Sequence, residues 1–234
     1  MDLLAPGLIA ALVGYLAGSV PFGLLIGKIV AGVDIRDAGS GNIGATNVAR
    51  VVGGLWGAIV LTLDALKGML PVLWLPELLV PAGDPGKTHL AVICGVTVIA
   101  GHMFPCWLRF KGGKGVATAL GVVFILAWEA SLVAASVFLL SMAAFRIVSL
   151  SSILAVSGFA VFELWLLGPD AISPERWSLA AFSTLVPLLI IVRHRSNIGR
   201  LLRGEEPKFQ PRRNKIQDDS PTGAGPENSS GEAG

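Results

Sequence analysis

The run GSGNIGATNVAR, residues 39–50, is wedged between two long apolar segments, about 3–27 and 53–80. It most limits what the chain can become. Exposed backbone N–H and C=O groups are costly in hydrocarbon, so a glycine-rich polar run between apolar segments sits at the water interface or lines a protein cavity. There it suits an anion. Gly39, Gly41 and Gly44 let backbone amides converge, Ser40, Asn42, Thr46 and Asn47 add neutral donors, and Arg50 adds a planar cationic fork.

The flanking composition fixes the class. Of 234 residues, 53% are hydrophobic and only 15% charged, with a mean hydropathy of +0.70, which points to a polytopic membrane protein. The net charge is +2 and the basic residues stand next to apolar runs, which argues against a nucleic-acid surface. Met1-Asp2 gives no positive start and no small-residue cleavage pattern follows, so the first apolar segment is expected to stay as a span. Cys94 and Cys106 lack any C-x-x-C or histidine-rich context and read as packing residues. His89, His102 and His194 have no carboxylate at metal-ligand spacing, so neither a metal nor another cofactor is expected.

Spans need about 20 apolar residues. Candidates are about 3–27, 53–80, 88–108, 148–168 and 177–193, plus 116–145, which is too long for one span and carries Glu129 near its middle. Division near Trp128-Glu129 gives an all-α fold of seven transmembrane helices, N-terminus outside and C-terminus cytoplasmic. With that parity Lys28, Arg36, Arg50, Arg109, Lys111, Lys114, Arg146, Arg193, Arg195, Arg200 and Arg203 share the cytoplasmic side, against Lys87 and Arg176 outside. A membrane domain is expected over 1–203. Residues 204–234, polar and without hydrophobic periodicity, read as a disordered cytoplasmic tail.

Two further polar clusters follow the first. GHMFPCWLRFKGGKGVAT, residues 101–118, has Pro105 to bend or end a span, then Lys111, Gly112, Gly113, Lys114 and Gly115 as a flexible cationic loop opening a new helix. It lacks the full nucleotide P-loop pattern, and basic residues here also serve topology and anionic lipids. RHRSNIGRLLRGE, residues 193–205, puts His194 and Asn197 on one helical face, continued by Arg200. Asp64 and Lys67, three apart inside a span, read as a mutually neutralising structural pair, with Pro71 kinking the same span.

Together with GSVPFGLLIGK at 18–28 and DALKG at 64–68, these three clusters resemble the bacterial acyl-phosphate:glycerol-3-phosphate acyltransferases, the PlsY family. The resemblance covers about residues 10–205. It implies transfer of a fatty acyl group from acyl phosphate to the sn-1 hydroxyl of glycerol 3-phosphate, giving lysophosphatidic acid and phosphate, at the cytoplasmic face of the bacterial inner membrane. It further implies catalytic roles for Ser40, Arg50, His194 and Asn197, glycerol 3-phosphate binding by the glycines and lysines of the second cluster, and a structural role for Glu205. The first loop is assigned to the acyl-phosphate head group.

The partners implied are the two substrates, membrane lipids and an upstream enzyme that makes acyl phosphate. Acyl phosphate is already activated, so direct attack needs no covalent acyl-enzyme, and Ser40 then serves as a hydrogen-bond donor rather than a nucleophile. No carboxylate in the third cluster is placed to orient His194, which favours positioning over general-base catalysis. The H-x-x-x-x-D box of acyltransferases that use acyl-CoA or acyl carrier protein is absent, since Cys94, Trp107 and Gly199 stand five residues after the histidines. The competing class is a membrane transporter or channel for phosphate or an organophosphate, which calls for inverted repeats and broken helices at the bilayer midplane.

Overall fold

A computed structural model of the protein describes residues 3–210, and all regular structure among them is helical. The helices are α1 (Leu4–Gly18), α2 (Phe22–Ala31), α3 (Ala45–Val51), α4 (Gly54–Leu79), α5 (Lys87–Met103), α6 (Val116–Leu126), α7 (Trp128–Phe145), α8 (Val148–Leu167), α9 (Trp177–Arg193) and α10 (Arg195–Leu202). Pro105 falls just past the end of α5, where a 3-10 turn over Cys106–Leu108 takes over. Pro71 and Pro76 both lie inside α4, which continues as one element.

Five helical stretches are long and apolar enough to cross a membrane, with α1 and α2 taken as one; a sixth appears if α9 and α10, bent by 62°, are joined. The seven expected spans include α6, which does not reach that length. Its 11 residues cover about 16 Å at a rise of about 1.5 Å per residue, roughly half of a hydrocarbon core of about 30 Å. The stretch 116–145 does break where expected, at Ala127, whose φ of −154° and ψ of 69° leave the helical region. The result is a hairpin with unequal arms. Gly115, Val116, Met142 and Val148 line one cavity, so both ends of the hairpin return to the same end of the bundle.

Close backbone approach lets a short helix sit among longer ones. A Cβ on Gly121 would lie 1.9 Å from the Ala65 carbonyl oxygen, and one on Gly68 2.2 Å from that of Thr118, so α4 and α6 cross with main chains nearly touching. Van der Waals packing of this kind replaces the hydrophobic effect inside a bilayer. α1 lies along α5 and α7 along α8.

The break between α1 and α2 leaves carbonyls without helical partners. Lys67 Nζ donates to Val20 O at 2.8 Å while pairing with Asp64 at 2.7 Å, and Trp107 Nε1 donates to Ser19 O at 2.6 Å. The expected neutralising pair therefore also closes a gap in the backbone of another span, which apolar surroundings require.

Past α10 the chain turns back across the bundle, and the Phe209 N–H donates to Arg146 O at 2.7 Å. Residues 204–210, placed by the sequence in the disordered tail, are thus held against the α7–α8 turn. The rest of that expected tail, 211–234, lies outside the described residues. Cys94 is buried in the core, whereas Cys106 is exposed; neither forms a disulfide.

Candidate active site

The three polar clusters meet around one cavity of about 1370 Å³. The first loop is built on Asn47. Its Nδ2 donates to Ile35 O at 2.8 Å and Ala38 O at 3.1 Å, and its Oδ1 accepts from the Ser40 N–H at 2.8 Å. Asn47 is 1% exposed, so its amide is consumed in shaping the loop, not offered to a substrate as the sequence suggested. Gly39, at φ +63°, is required there because a Cβ would meet Asn47 Oδ1 at 2.2 Å. Asn42 Oδ1 accepts from the Gly44 N–H at 2.8 Å, a local turn that leaves its NH₂ group available. Gly39, Ser40, Asn42, Gly44, Thr46 and Arg50 all line the cavity. Among the described residues the Ser40 hydroxyl has no hydrogen-bond partner and Arg50 no ion pair, so both are open to a ligand.

The second loop divides. The Gly112 N–H donates to Met103 O and the Gly113 N–H to His102 O, each at 3.1 Å, which satisfies carbonyls at the end of α5. Arg193 Nη2 donates to the carbonyls of Gly112 at 3.2 Å and Gly113 at 2.9 Å. A Cβ on Gly113 would lie 2.0 Å from His102 Nε2, and one on Gly112 2.2 Å from His102 O. These two glycines, expected to bind substrate, are needed first so that the loop can close on α5. Lys114 and Gly115 line the main cavity; Lys111 and Gly112 instead face a separate cavity of about 680 Å³, as does Gly41 of the first loop.

The third cluster supplies a hydrogen-bonded chain. Lys114 Nζ donates to Asn197 Oδ1 at 2.6 Å, and Asn197 Nδ2 donates to Glu206 Oε1 at 2.6 Å. Glu206 also accepts from Ser149 Oγ and Arg200 Nε, both at 2.7 Å. Burial alone would raise its pKa, but these three donors outweigh it and hold the carboxyl below its ordinary value. Glu205, expected to close this motif, lines the cavity at its exposed edge and pairs with Arg203; the carboxylate that joins the hydrogen-bonded chain is its neighbour, Glu206. The sequence shows two adjacent glutamates and no periodicity to choose between them. Ser149, on the apolar-looking α8, gave no signal either.

Lys114 loses solvation on burial, and Arg200, Arg50 and Arg193 add repulsion that Glu206 only partly offsets, so its pKa falls to about 8. His194 stands at the bend between α9 and α10, 2% exposed. Its Nδ1 lies 2.8 Å from Ile190 O. A carbonyl can only accept, so Nδ1 carries the proton and Nε2 keeps its lone pair. Burial, reinforced by Lys114 and Arg193, drives its pKa to about 4, which keeps the imidazole neutral at physiological pH. Asp64 and His102, 3.6 Å apart, also line the cavity.

One flank of the cavity is apolar, with Ala58 and Leu61 from α4 and Phe138 and Met142 from α7. Cationic and neutral donors thus gather beside an apolar wall, an arrangement fitted to a phosphate carried on a hydrocarbon chain. The comparisons with known proteins agree. A family model described as glycerol-3-phosphate acyltransferase matches residues 8–204. A glycerol-3-phosphate acyltransferase of Myxococcus xanthus is 47% identical over 198 residues, covering 85% of this chain and 97% of that relative. One from Anaeromyxobacter dehalogenans is 46% identical over 212 residues, covering 88% and 98%. A crystal structure of PlsY, an integral membrane glycerol 3-phosphate acyltransferase in its glycerol 3-phosphate form, superimposes with a TM-score of 0.76 at 40% identity, covering 87% of this chain and 96% of that one. Its lysophosphatidic acid form gives 0.74 at 39%. By the family match and by these relatives, the chain belongs to the glycerol-3-phosphate acyltransferase family of integral membrane enzymes.

Proposed function

We propose that the protein transfers a fatty acyl group from acyl phosphate to the sn-1 hydroxyl of glycerol 3-phosphate, releasing lysophosphatidic acid and phosphate. Family membership sets aside the transporter reading. The observation that carries the proposal is the chain Lys114–Asn197–Glu206, which joins the second and third clusters beside the open Ser40 and Arg50 in one cavity. Two phosphates need cationic cradles there, and the apolar flank takes the acyl chain. Acyl phosphate comes from an enzyme upstream, and the reaction needs neither metal nor coenzyme.

The hydroxyl oxygen of glycerol 3-phosphate attacks the acyl carbonyl carbon, forming the ester bond as the acyl carbon–oxygen bond to phosphate breaks. Lys114 and Arg50 stabilise charge on the departing phosphate, and Ser40 donates to a carbonyl or phosphoryl oxygen. Asn197 positions Lys114. The proton of the hydroxyl goes to the departing phosphate, because phosphate with a second pKa near 6 is a stronger base than an imidazole at about 4. His194 Nε2 accepts the hydroxyl hydrogen bond and aims the nucleophile.

Seven passes suit the charge distribution, with α6 as a short pass sheltered by α4 and α5, the N-terminus outside and the cavity at the cytoplasmic face of a bacterial inner membrane. The deciding experiment is donor choice. Purified protein in lipid should release phosphate and form lysophosphatidic acid from acyl phosphate and glycerol 3-phosphate in the presence of a chelator. Equal turnover with acyl-CoA would overturn the donor assignment.

A further inference from the structure

The second cavity, about 680 Å³, lies beside the active site and shares Arg193 with it. Arg36, Arg109, Lys111 and Arg193 line it, and no carboxylate does. Asp34 offsets Arg36, with an oxygen 2.6 Å from its guanidinium. Arg109 and Lys111 are exposed and make no ion pair among the described residues. Arg193 spends Nη2 on the carbonyls of Gly112 and Gly113, yet its Nε is buried with no hydrogen-bond partner. The main cavity has Glu206 in its lining; here only Arg36 has a carboxylate beside it, and none faces the other three cations among the lining residues.

Topology alone explains basic residues near an interface, but not their convergence on a concave site with an unfilled buried donor. Trp107 and Phe110, exposed by 54% and 60%, flank the same cavity. Phe110 is held at φ +60°, an uncommon conformation for a bulky residue. Exposed rings beside cations at a span's end match the headgroup layer of a bilayer, and a freely soluble anion would gain nothing from them.

We infer that this second cavity holds the phosphate headgroup of a membrane lipid, and that it favours a phosphomonoester, whose extra negative charge meets the extra cations. The product of the proposed reaction belongs to that lipid class. The inference rests on the proposed placement of this end of the bundle at the inner membrane surface. Because Arg193 braces the two glycines next to Lys114, occupancy of the second cavity reaches the catalytic loop through one side chain.

Binding can be read directly. Protein is placed in phosphatidylcholine nanodiscs carrying graded phosphatidic acid, and retained lipid is counted by native mass spectrometry for wild type, Arg109→Gln, Arg109→Glu and Lys114→Ala. Arg109 is exposed, so both of its variants should fold. Lys114→Ala weakens phosphate binding in the main cavity, so the lipid it still retains should report this site, and adding Arg109→Glu to it should remove that remainder. Arg109→Gln should weaken retention about tenfold and Arg109→Glu further. Equal retention by wild type and Arg109→Glu, complete loss in Lys114→Ala alone, or displacement by millimolar inorganic phosphate would each overturn the inference. The readout is bound lipid, so failure of the acyl-transfer assay would leave this result standing, and the converse also holds.

Discussion

Lys114 keeps its ammonium on Asn197 while desolvation lowers its pKa to about 8, inside the range where the enzyme can be assayed. Only the protonated form stabilises a phosphate, and that form predominates below the pKa. kcat/KM should therefore fall as pH rises through about 8, approaching tenfold per unit above it, and Lys114→Arg should abolish this alkaline limb even at a lower absolute rate. A limb that persists in the arginine variant would assign it elsewhere. His194, at about 4, should add no ionisation between pH 6 and 8. If it only aims the nucleophile, His194→Gln should keep activity within about tenfold of wild type, whereas loss of a general base costs about 10² to 10⁴-fold. Ser40, Arg50, Lys114, His194 and Asn197 were legible because polar residues stand out in so apolar a chain. Asn47 and Glu206 were not. Whether an amide serves the loop or the ligand depends on which carbonyls the fold brings to it, and adjacent glutamates are separated only by the direction each side chain takes.

The second loop shows how an element can carry function through its packing. Gly113→Ala would put a methyl group 2.0 Å from His102 Nε2, and because that ring is buried the loop itself must shift, taking Lys114 with it. Overpacking of this kind costs about 1–3 kcal/mol, so the melting temperature should drop by several degrees while KM for glycerol 3-phosphate rises. Ser40→Ala, on an open hydroxyl, should lower kcat and leave Tm unchanged; the opposite pattern in steady-state kinetics and thermal melts would reverse the two assignments. At this scale the sequence was informative about interruptions. Pro105 ended α5, and Glu129 in an overlong apolar stretch marked the break at Ala127. What was hidden is how so short a helix as α6 is held among longer ones, since an apolar stretch does not report which neighbour it will lie against. That is settled by Gly68 and Gly121, two residues whose importance lies in what they leave out.

Across the whole molecule, seven passes would gather most basic residues on one side, and this makes a prediction about sidedness. On a background with the exposed Cys106 changed to serine, single cysteines at Lys111 and Ser196 should react with a membrane-impermeant thiol reagent only from the cytoplasmic side, and one at Asp170 only from outside. Labelling of Lys111 and Ser196 from opposite sides would exclude seven passes. The membrane class and the gathering of clusters at one end could be read from hydropathy and charge, but the edge of the functional unit could not, because composition changes at Gly204 whereas contacts do not. Glu206 and the Phe209–Arg146 bond lie past that change. A stop codon after Arg203 should thus remove Glu206, the carboxylate that holds Asn197 and Arg200, from a cavity lined by Arg50, Lys114, Arg193, Arg195 and Arg200, and leave a protein that inserts yet does not turn over. One after Gln210 should leave a working enzyme. By these contacts the functional unit should outlast the apolar part of the chain, reaching at least to the short segment that carries Glu206 and Phe209.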